Sequence, residues 1–411
     1  MDNQANKKSV EVLLISDFFP PEVNAGSESI ALELSKGYSR EGFNVSVITT
    51  SHRVKKYKVI ESFFGDLKVY TVGYQTNNRY SSIRSLLNLR ILRILRSFLD
   101  ANSFDLVHLH NIHQIFSFSA ISEVKKKKIP SIITMHDAMA VYPGKYVNYG
   151  SSYKVSNLDL IRENYKRYIP FKNFFVRKLL SSVDRIITVS KELEIFLNVN
   201  NISNTTTIHN GIRGIEKINA KDRNEFRKRY DLSSEDKILC LAGRLSDKKG
   251  LSQSIKLLNK LNDTDSKFRL LLAGELPRNF NVSNPNIVTA GWLSKEDLNI
   301  AYSLSSFTLV LSTYLDPFPT VILESLRAGT PIIVSKLSGG KEAVSDKTGF
   351  IVNPYNPELI AEKINIFISK KENVHNFRKC CKEAFIEKFD ANIFVKKYIN
   401  IFNEIKNEEK Y

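Results

Sequence analysis

VEVLLISDFFPPEVNAGSESIALELSKGYSREGFNVSVITT, residues 10–50, carries the pattern that decides the fold. Val10–Ser16 is a continuous apolar run that reads as a buried strand, Glu28–Glu41 has helical spacing, and Val45–Thr50 reads as a second strand. A strand that is apolar on successive residues is covered on both faces, which is the condition of a parallel sheet wrapped by helices. Working outward, Leu106–Leu109, Ser131–Met135 and Arg185–Val189 give the same signal. The fold class is therefore α/β. The pattern then restarts with Ile238–Ala242, Arg269–Ala273, Ile287–Thr289, Phe307–Leu311, Pro331–Val334 and Gly349–Val352. Two strand series imply two doubly wound domains, and 411 residues exceed what one hydrophobic core usually serves. The junction is expected near Asn210–Lys221, where the Asn210-Gly211 turn precedes a polar stretch.

In open α/β sheets ligands bind beyond the carboxyl ends of the strands, so the residues just after each apolar run are the ones to inspect. After the first strand, Asp17–Glu28 is a loop with the small residues Ala25 and Gly26 opening a helix, whose N–H groups can receive a phosphate. The plainer reading is a connecting loop with Ser27 as N-cap. After Ile238–Ala242 comes Gly243-Arg244-Leu245-Ser246-Asp247-Lys248-Lys249-Gly250, in which two cations five residues apart meet a helix start. A diphosphate needs such a pair; the alternative is two solvated surface cations. After Phe307–Leu311, Asp316 sits in a Pro-stiffened loop and Glu324 inside the helix starting near Thr320. Two carboxylates so placed can accept hydrogen bonds from a sugar and a ribose, or serve as a turn former and a surface residue.

This succession resembles the GT4-type family of retaining GT-B glycosyltransferases, also called group 1. The residues that carry the resemblance are Gly243-Arg244-x4-Lys249-Gly250, Asp316-x7-Glu324, Ala328-Gly329-Thr330-Pro331-Ile332-Ile333 and Gly339-Gly340-x-Glu342, in that order. The resemblance implies a GT-B architecture of two Rossmann-like domains facing a cleft. Residues 1–212 would bind the acceptor and 213–385 the nucleotide sugar, with a C-terminal helix in 386–411 packing back on the first domain. It implies that Arg244 and Lys249 bind the donor diphosphate, that Glu324 binds the ribose, and that Asp316 contacts the transferred sugar. Phe318, Pro319, Thr320 and Val321 would face sugar and phosphates, Trp292 and Leu293 the base, and Gly26 the diphosphate from the acceptor side. Asp316 departs from the family's glutamate by one methylene, which points to an altered donor-sugar preference. His136-Asp137, after the strand Ser131–Met135, resembles the family's central His-Asp element, which places His136 beside the donor sugar.

His108, His110 and His113 form a local cluster. A metal site is conceivable there, but no cysteine or carboxylate group stands beside it, and the resemblance implies neither metal nor other cofactor. His110, His113 and Asp137 are expected on the acceptor side instead. The resemblance further implies same-face attack without a covalent enzyme nucleophile, a leaving phosphate oxygen taking the acceptor proton. The catalytic set is then His136, Asp316, Arg244 and Lys249.

The net charge of +17 biases the protein toward phosphates, or reflects a solvated Lys-rich surface. Nucleic acid is not the expected partner, because no DNA- or RNA-reading motif accompanies the charge. Ser82–Asp100 reads as an amphipathic helix with Leu87, Ile91, Ile94, Leu95 and Phe98 on one side and Arg90, Arg93 and Arg96 on the other. Tyr165–Lys178 is a second basic-aromatic stretch. Both are candidates for docking on an anionic membrane, the alternative being that the apolar stripe faces the core. The polar Met1–Lys8 shows no signal peptide, no apolar run approaches the ~20 residues of a spanning helix, and three cysteines form no framework. A cytoplasmic protein, peripheral at most to the inner membrane face, is expected. The expected partners are a UDP- or GDP-linked sugar and a glycan or polyprenyl-diphosphate-linked acceptor in bacterial surface polysaccharide synthesis. The alternatives left open are a sucrose- or trehalose-type synthase and an inactive GT-B scaffold.

Overall fold

The structure is a computed structural model that describes residues 9–23, 25–75, 81–142, 147, 153–164, 168–215, 218–265, 267–278, 280–281, 284–369 and 371–408. The chain divides into two compact units, the first made of residues 1–145, 151–211 and 391–411 and the second of residues 146–150 and 212–390.

The first unit holds an eight-stranded sheet in the order β3-β4-β2-β1-β5-β6-β7-β8. Its strands are β1 (Glu11–Ser16), β2 (Asn44–Ser51), β3 (Val59–Phe64), β4 (Leu67–Gly73), β5 (Leu106–His110), β6 (Ser131–Met135), β7 (Arg185–Thr188) and β8 (Thr205–Thr207). Its helices are α1 (Gly26–Arg40), α2 (Ser81–Leu86), α3 (Leu89–Ala101), α4 (Ala120–Lys126), α5 (Asn157–Asn164), α6 (Lys172–Leu180), α7 (Lys191–Val199) and, from the end of the chain, α14 (Ala391–Glu408). Every strand pair is parallel except β3 with β4. The continuous apolar runs are the central strands: Val12, Leu13, Leu14 and Ile15 are all fully buried. The antiparallel edge strand β3 escapes a reading of apolar runs because its residues stay exposed from Val59 to Phe63. α14 lies beside α1, with the Phe402 and Tyr38 rings 5.1 Å apart.

The second unit holds six parallel strands in the order β11-β10-β9-β12-β13-β14. These are β9 (Lys237–Arg244), β10 (Phe268–Glu275), β11 (Ile287–Gly291), β12 (Phe307–Val310), β13 (Ile332–Ser335) and β14 (Gly349–Val352), with helices α8 (Ala220–Arg229), α9 (Leu251–Asn262), α10 (Lys295–Leu304), α11 (Thr320–Ala328), α12 (Pro357–Ile368) and α13 (Lys371–Lys388). Alternate residues supply two cores. Leu239, Leu241, Leu270 and Leu272 join α9 and α12 on one face, whereas Ile238 and Leu271 join Phe226 and Ala301 on the other. Each fully buried Leu or Ile contributes about 1.5–3 kcal/mol relative to exposure.

The expected helix over Ser82–Asp100 is two helices, α2 and α3, broken at Leu87-Asn88, where the Asn88 side-chain amide donates to the Ile115 carbonyl at 2.8 Å. Of the expected apolar stripe, Ile91 and Leu95 are buried together with Leu92 and Leu99, Ile94 and Phe98 are half-buried, and Leu87 is exposed, so the inward face of α3 is a core face. Arg96 is bound through two nitrogens to Glu123 at 2.7 and 3.0 Å, and Arg90 lies over the Tyr57 ring. In the second stretch, residues 165–167 fall outside the described residues; Lys172, Val176 and Leu180 point inward, whereas Phe171, Phe174 and Phe175 are exposed. No helix among the described residues is long and apolar enough to cross a membrane.

Candidate active site

In each unit the strand order reverses beside the first strand of its series, at β1/β5 and at β9/β12. The loops leaving these strand pairs diverge there and open a crevice. In both crevices the two loops are tied together by an aspartate.

In the second unit the β9 loop passes through a 3-10 turn, Asp247–Lys249, and reaches Gly250 at φ +91°. A Cβ on Gly250 would stand 2.4 Å from the Leu311 carbonyl oxygen, so glycine permits the β9 and β12 loops to touch. The Thr313 N–H donates to the Lys248 carbonyl at 2.9 Å across the same seam. Lys249 Nζ then donates to Asp316 Oδ2 at 2.7 Å, and the Ser312 hydroxyl donates to the same oxygen at 2.8 Å. Asp316 is 4% exposed, and its backbone carbonyl accepts from Gly339 N–H at 2.9 Å and Ser338 Oγ at 3.1 Å. Both side-chain donors fall on Oδ2, so among the described residues Oδ1 remains to accept from a ligand.

Pro319 caps α11 without a side-chain hydrogen bond, and Thr320 and Val321 open the helix. Their N–H groups have no partner within a helix and carry its positive end. Gly340 keeps this end accessible to the following loop, since a Cβ there would lie 2.1 Å from Ile322 Cδ1. One turn in, Glu324 accepts from the buried Tyr302 hydroxyl at 3.0 Å. Burial raises the Glu324 carboxyl above its usual range, against the pull of Arg327, Tyr302 and Lys295. Arg244 is exposed at the end of β9, and Phe318 is buried with its ring 6.2 Å from Phe389. Trp292 is 68% exposed after β11, whereas the neighbouring Leu293 is half-buried and packs against the Phe226 core.

In the first unit Asp17 follows β1 and is fully buried, and its carboxylate accepts from the N–H groups of Gln114, Ile115 and Phe116 at 2.6, 3.0 and 2.7 Å. This fixes the loop after β5. Burial pushes the Asp17 carboxyl up to about 6, with His113 and the three amides opposing. His108 and His110 share one face of β5. His108 is engaged at both nitrogens, by the Tyr38 hydroxyl at 3.1 Å and Thr134 Oγ1 at 2.8 Å. His110 Nδ1 lies 3.0 Å from His136 Nε2, and His113 Nε2 lies 3.5 Å from Asp137 Oδ2. Asp137 Oδ1 accepts from the Met139 N–H at 2.9 Å. Gly26 is the first residue of α1.

A family model described as glycosyl transferases group 1 matches residues 222–384, and one described as glycosyltransferase family 4 matches residues 25–213. The chain is a family 4-type glycosyltransferase. It is 23% identical to an uncharacterized glycosyltransferase of Methanocaldococcus jannaschii, covering 96% of this chain and 98% of that one. It is 21% identical to the GDP-mannose:cellobiosyl-diphosphopolyprenol alpha-mannosyltransferase of Xanthomonas oryzae, over 94% of each. Among solved structures, a sucrose-phosphate synthase from Thermosynechococcus elongatus superposes with a TM-score of 0.74 at 15% identity, covering 97% of this chain and 100% of that one. An Anabaena protein in complex with UDP-glucose superposes at 0.65 with 14% identity, covering 96% and 99%. The fold is GT-B.

Within this glycosyltransferase the sequence-derived residues fall into two groups. Arg244, Lys249, Asp316, Phe318–Val321, Glu324, Trp292 and Leu293 belong to the second unit, and Gly26, His110, His113, His136 and Asp137 to the first. Among the described residues no cluster of three or more His, Cys, Asp or Glu side chains is placed to hold a metal. Three positioning groups were given no role by sequence reasoning. Ser312 and Tyr302 hold the two carboxylates, and Lys172 is 4% exposed, its amine lowered to about 8 by burial with Asp137 partly opposing. Nothing in its basic-aromatic surroundings marks Lys172 as an interior residue.

Burial holds His108 and His110 neutral, their pKa values well below 6.5, and lowers His136 to about 4. The unfolded chain binds protons at these sites near pH 6.5, so their stabilising contribution is present above that pH and is lost on acidification. Each contributes a slope approaching about 1.4 kcal/mol per pH unit. Asp17 acts oppositely between its ordinary 3.8 and about 6, since there the folded state holds the proton. Urea unfolding of the wild type from pH 7.5 to about 5 is therefore expected to show stability falling with pH, and His136→Gln a shallower fall, the difference in slope growing toward about 1.4 kcal/mol per pH unit only below pH 6.5. Equal slopes would mean that His136 is not held neutral.

Proposed function

We propose that this enzyme is a retaining glycosyltransferase. It moves a sugar from a UDP- or GDP-linked donor to a glycan or polyprenyl-diphosphate-linked acceptor, in bacterial surface polysaccharide synthesis. The observation that carries the donor half is the Lys249–Asp316 pair, held at 2.7 Å beside the residues that lead into α11. A leaving diphosphate needs positive charge and aligned N–H donors, and Arg244, Lys249 and the first turn of α11 supply both from one unit. With that charge in place no divalent ion is required. Asp316 Oδ1 accepts from a hydroxyl of the transferred sugar, Glu324 from the ribose, and the exposed Trp292 stacks on the base. Asp316 is a methylene shorter than the family's glutamate and is anchored to Lys249 and Ser312, so its reach is fixed and its choice of sugar narrow. His136 orients the sugar, and a phosphate oxygen of the leaving group takes the acceptor proton. The UDP-glucose complex of the Anabaena neighbour and the polyprenol-linked substrate named for the Xanthomonas relative support this assignment of donor and acceptor class.

Calorimetric titration of UDP and GDP in the presence of EDTA tests the donor site. One of them is expected to bind the wild type, and Arg244→Ala and Lys249→Ala to weaken it by about ten- to a hundredfold, the loss of one charged hydrogen bond. Binding of neither nucleotide, or equal binding by the variants, contradicts the reading. Retention is checked by the anomeric coupling constant of the product: an α-linked donor must give an α-linked product.

Membrane docking in this reading uses the outer face of α6. Phe174 and Phe175 are exposed there at 59% and 49%, Phe171 precedes them at 76%, and Lys178 follows one turn on. Three aromatic rings beside a cation suit an anionic lipid interface. Vesicles containing anionic lipid are expected to sediment the wild type and to leave Phe174→Glu/Phe175→Glu in solution, whereas vesicles of zwitterionic lipid retain little of either. Equal sedimentation of both proteins would remove this surface from the account.

A further inference from the structure

We infer that His110 is a positioning residue that fixes the tautomer of His136: the shared proton sits on His110 Nδ1, His136 Nε2 accepts it, and His136 therefore presents Nδ1–H outward. The two nitrogens lie 3.0 Å apart, and His110 ends β5 in register with Thr134 of β6, two residues before His136. Burial keeps both rings neutral, so one proton lies between them. Only two arrangements exist. If His136 Nε2 donated, the remaining proton of His110 would sit on its own Nε2, a buried atom with no hydrogen-bond partner among the described residues. Orphaned buried N–H donors are rare, and under-satisfied acceptors less so. With Nδ1 as the donor, His110 Nε2 carries only a lone pair.

Among the described residues His110 has no other hydrogen-bond partner. The His108 ring lies 4.1 Å from it, but both nitrogens of His108 are taken by Tyr38 and Thr134, and the Thr134 hydroxyl also meets the Tyr398 hydroxyl of α14 at 3.0 Å. The His136 ring meets His110 edge to edge through the Nδ1–Nε2 contact, with centroids 5.3 Å apart and planes inclined by 28°. The titratable groups acting on the pair among the described residues are His108 of β5 and His113 and Asp137 of the adjoining loops, with Tyr38 of α1 and Tyr398 of α14 behind His108. The consequence is chemical. An imidazole whose Nε2 lone pair is occupied offers a substrate oxygen a hydrogen bond from Nδ1 and has no free nitrogen to take a proton. His136 is an oriented donor and not the general base. This rests on the reading of His136 as a substrate-facing residue.

Long-range 1H–15N correlation on the full chain, 15N-labelled at histidine, reads the tautomers without any substrate. His136 and His110 are both expected as Nδ1–H forms near neutral pH, assigned by the signals lost in His136→Gln and His110→Phe. His136 found as the Nε2–H form, or as a tautomer mixture, overturns the inference. In transfer assays His110→Phe is expected to lower kcat by about ten- to a hundredfold with little change in KM, the scale for outer partners of functional histidines. His110→Asn, which can place an N–H near the Nδ1 position, is expected to recover part of that loss. Equal kcat for the Phe and Asn variants, both folded by circular dichroism, counts against it. Should the tautomers be as inferred while His136→Gln transfers sugar at the wild-type rate, the fault lies in the substrate-facing role, and the pairing stands.

Discussion

Two loops leaving neighbouring strands at a reversal of strand order have no continuing strand ladder to hold them, and in each unit an aspartate side chain ties them together. Asp17 gathers three consecutive amides of the β5 loop onto one buried carboxylate; Asp316 receives Lys249 from the β9 loop. The cost of burying a carboxylate is offset by charge-assisted hydrogen bonds that also set geometry. Everything chemically interesting in each unit hangs from these ties. His110 and His113 lie just before the backbone that Asp17 organises, and Lys249 reaches its place because Gly250 lets the β9 loop lie on the loop after β12.

The two crevices differ in electrostatic character. That of the second unit has cations and a helix start on the surface side and carboxylates behind them, an arrangement suited to a ligand with negative phosphates and hydroxyl-bearing rings. That of the first unit is lined by imidazoles kept neutral by burial, which hydrogen-bond without adding charge. Neutral rings packed with centroids 4.1 Å apart are tolerable, whereas imidazolium rings at that distance would repel strongly in so dry a setting. The same burial that makes these groups precise hydrogen-bonding partners makes the first unit sensitive to acid.

Much of this was legible in the sequence, for identifiable reasons. Strands apolar at every position and strand-end loops containing Arg244, Lys249 and Asp316 are local signals, and local signals survive translation into one dimension. The spacing also placed Glu324 one turn inside α11. Three kinds of feature were not legible. The edge strand β3 is exposed and follows no apolar pattern. The break at Leu87-Asn88 depends on the Asn88 contact with Ile115, 27 residues away, which no helical wheel contains. The interior placement of Lys172 and the pairing of His110 with His136 are tertiary facts. The latter joins two strands whose register, His110 with Thr134, only the sheet reveals. The strand-end rule did point at Asp17, but as part of a phosphate loop; its carboxylate instead serves the protein's own amides.

The most direct test of the account is a crystal structure of the enzyme with a nucleoside diphosphate bound. The account predicts the diphosphate within hydrogen-bonding distance of Lys249 Nζ and the Thr320 and Val321 N–H groups, with the ribose hydroxyls on Glu324. A nucleotide seated elsewhere, with the Lys249–Asp316 pair and the start of α11 untouched, would contradict it.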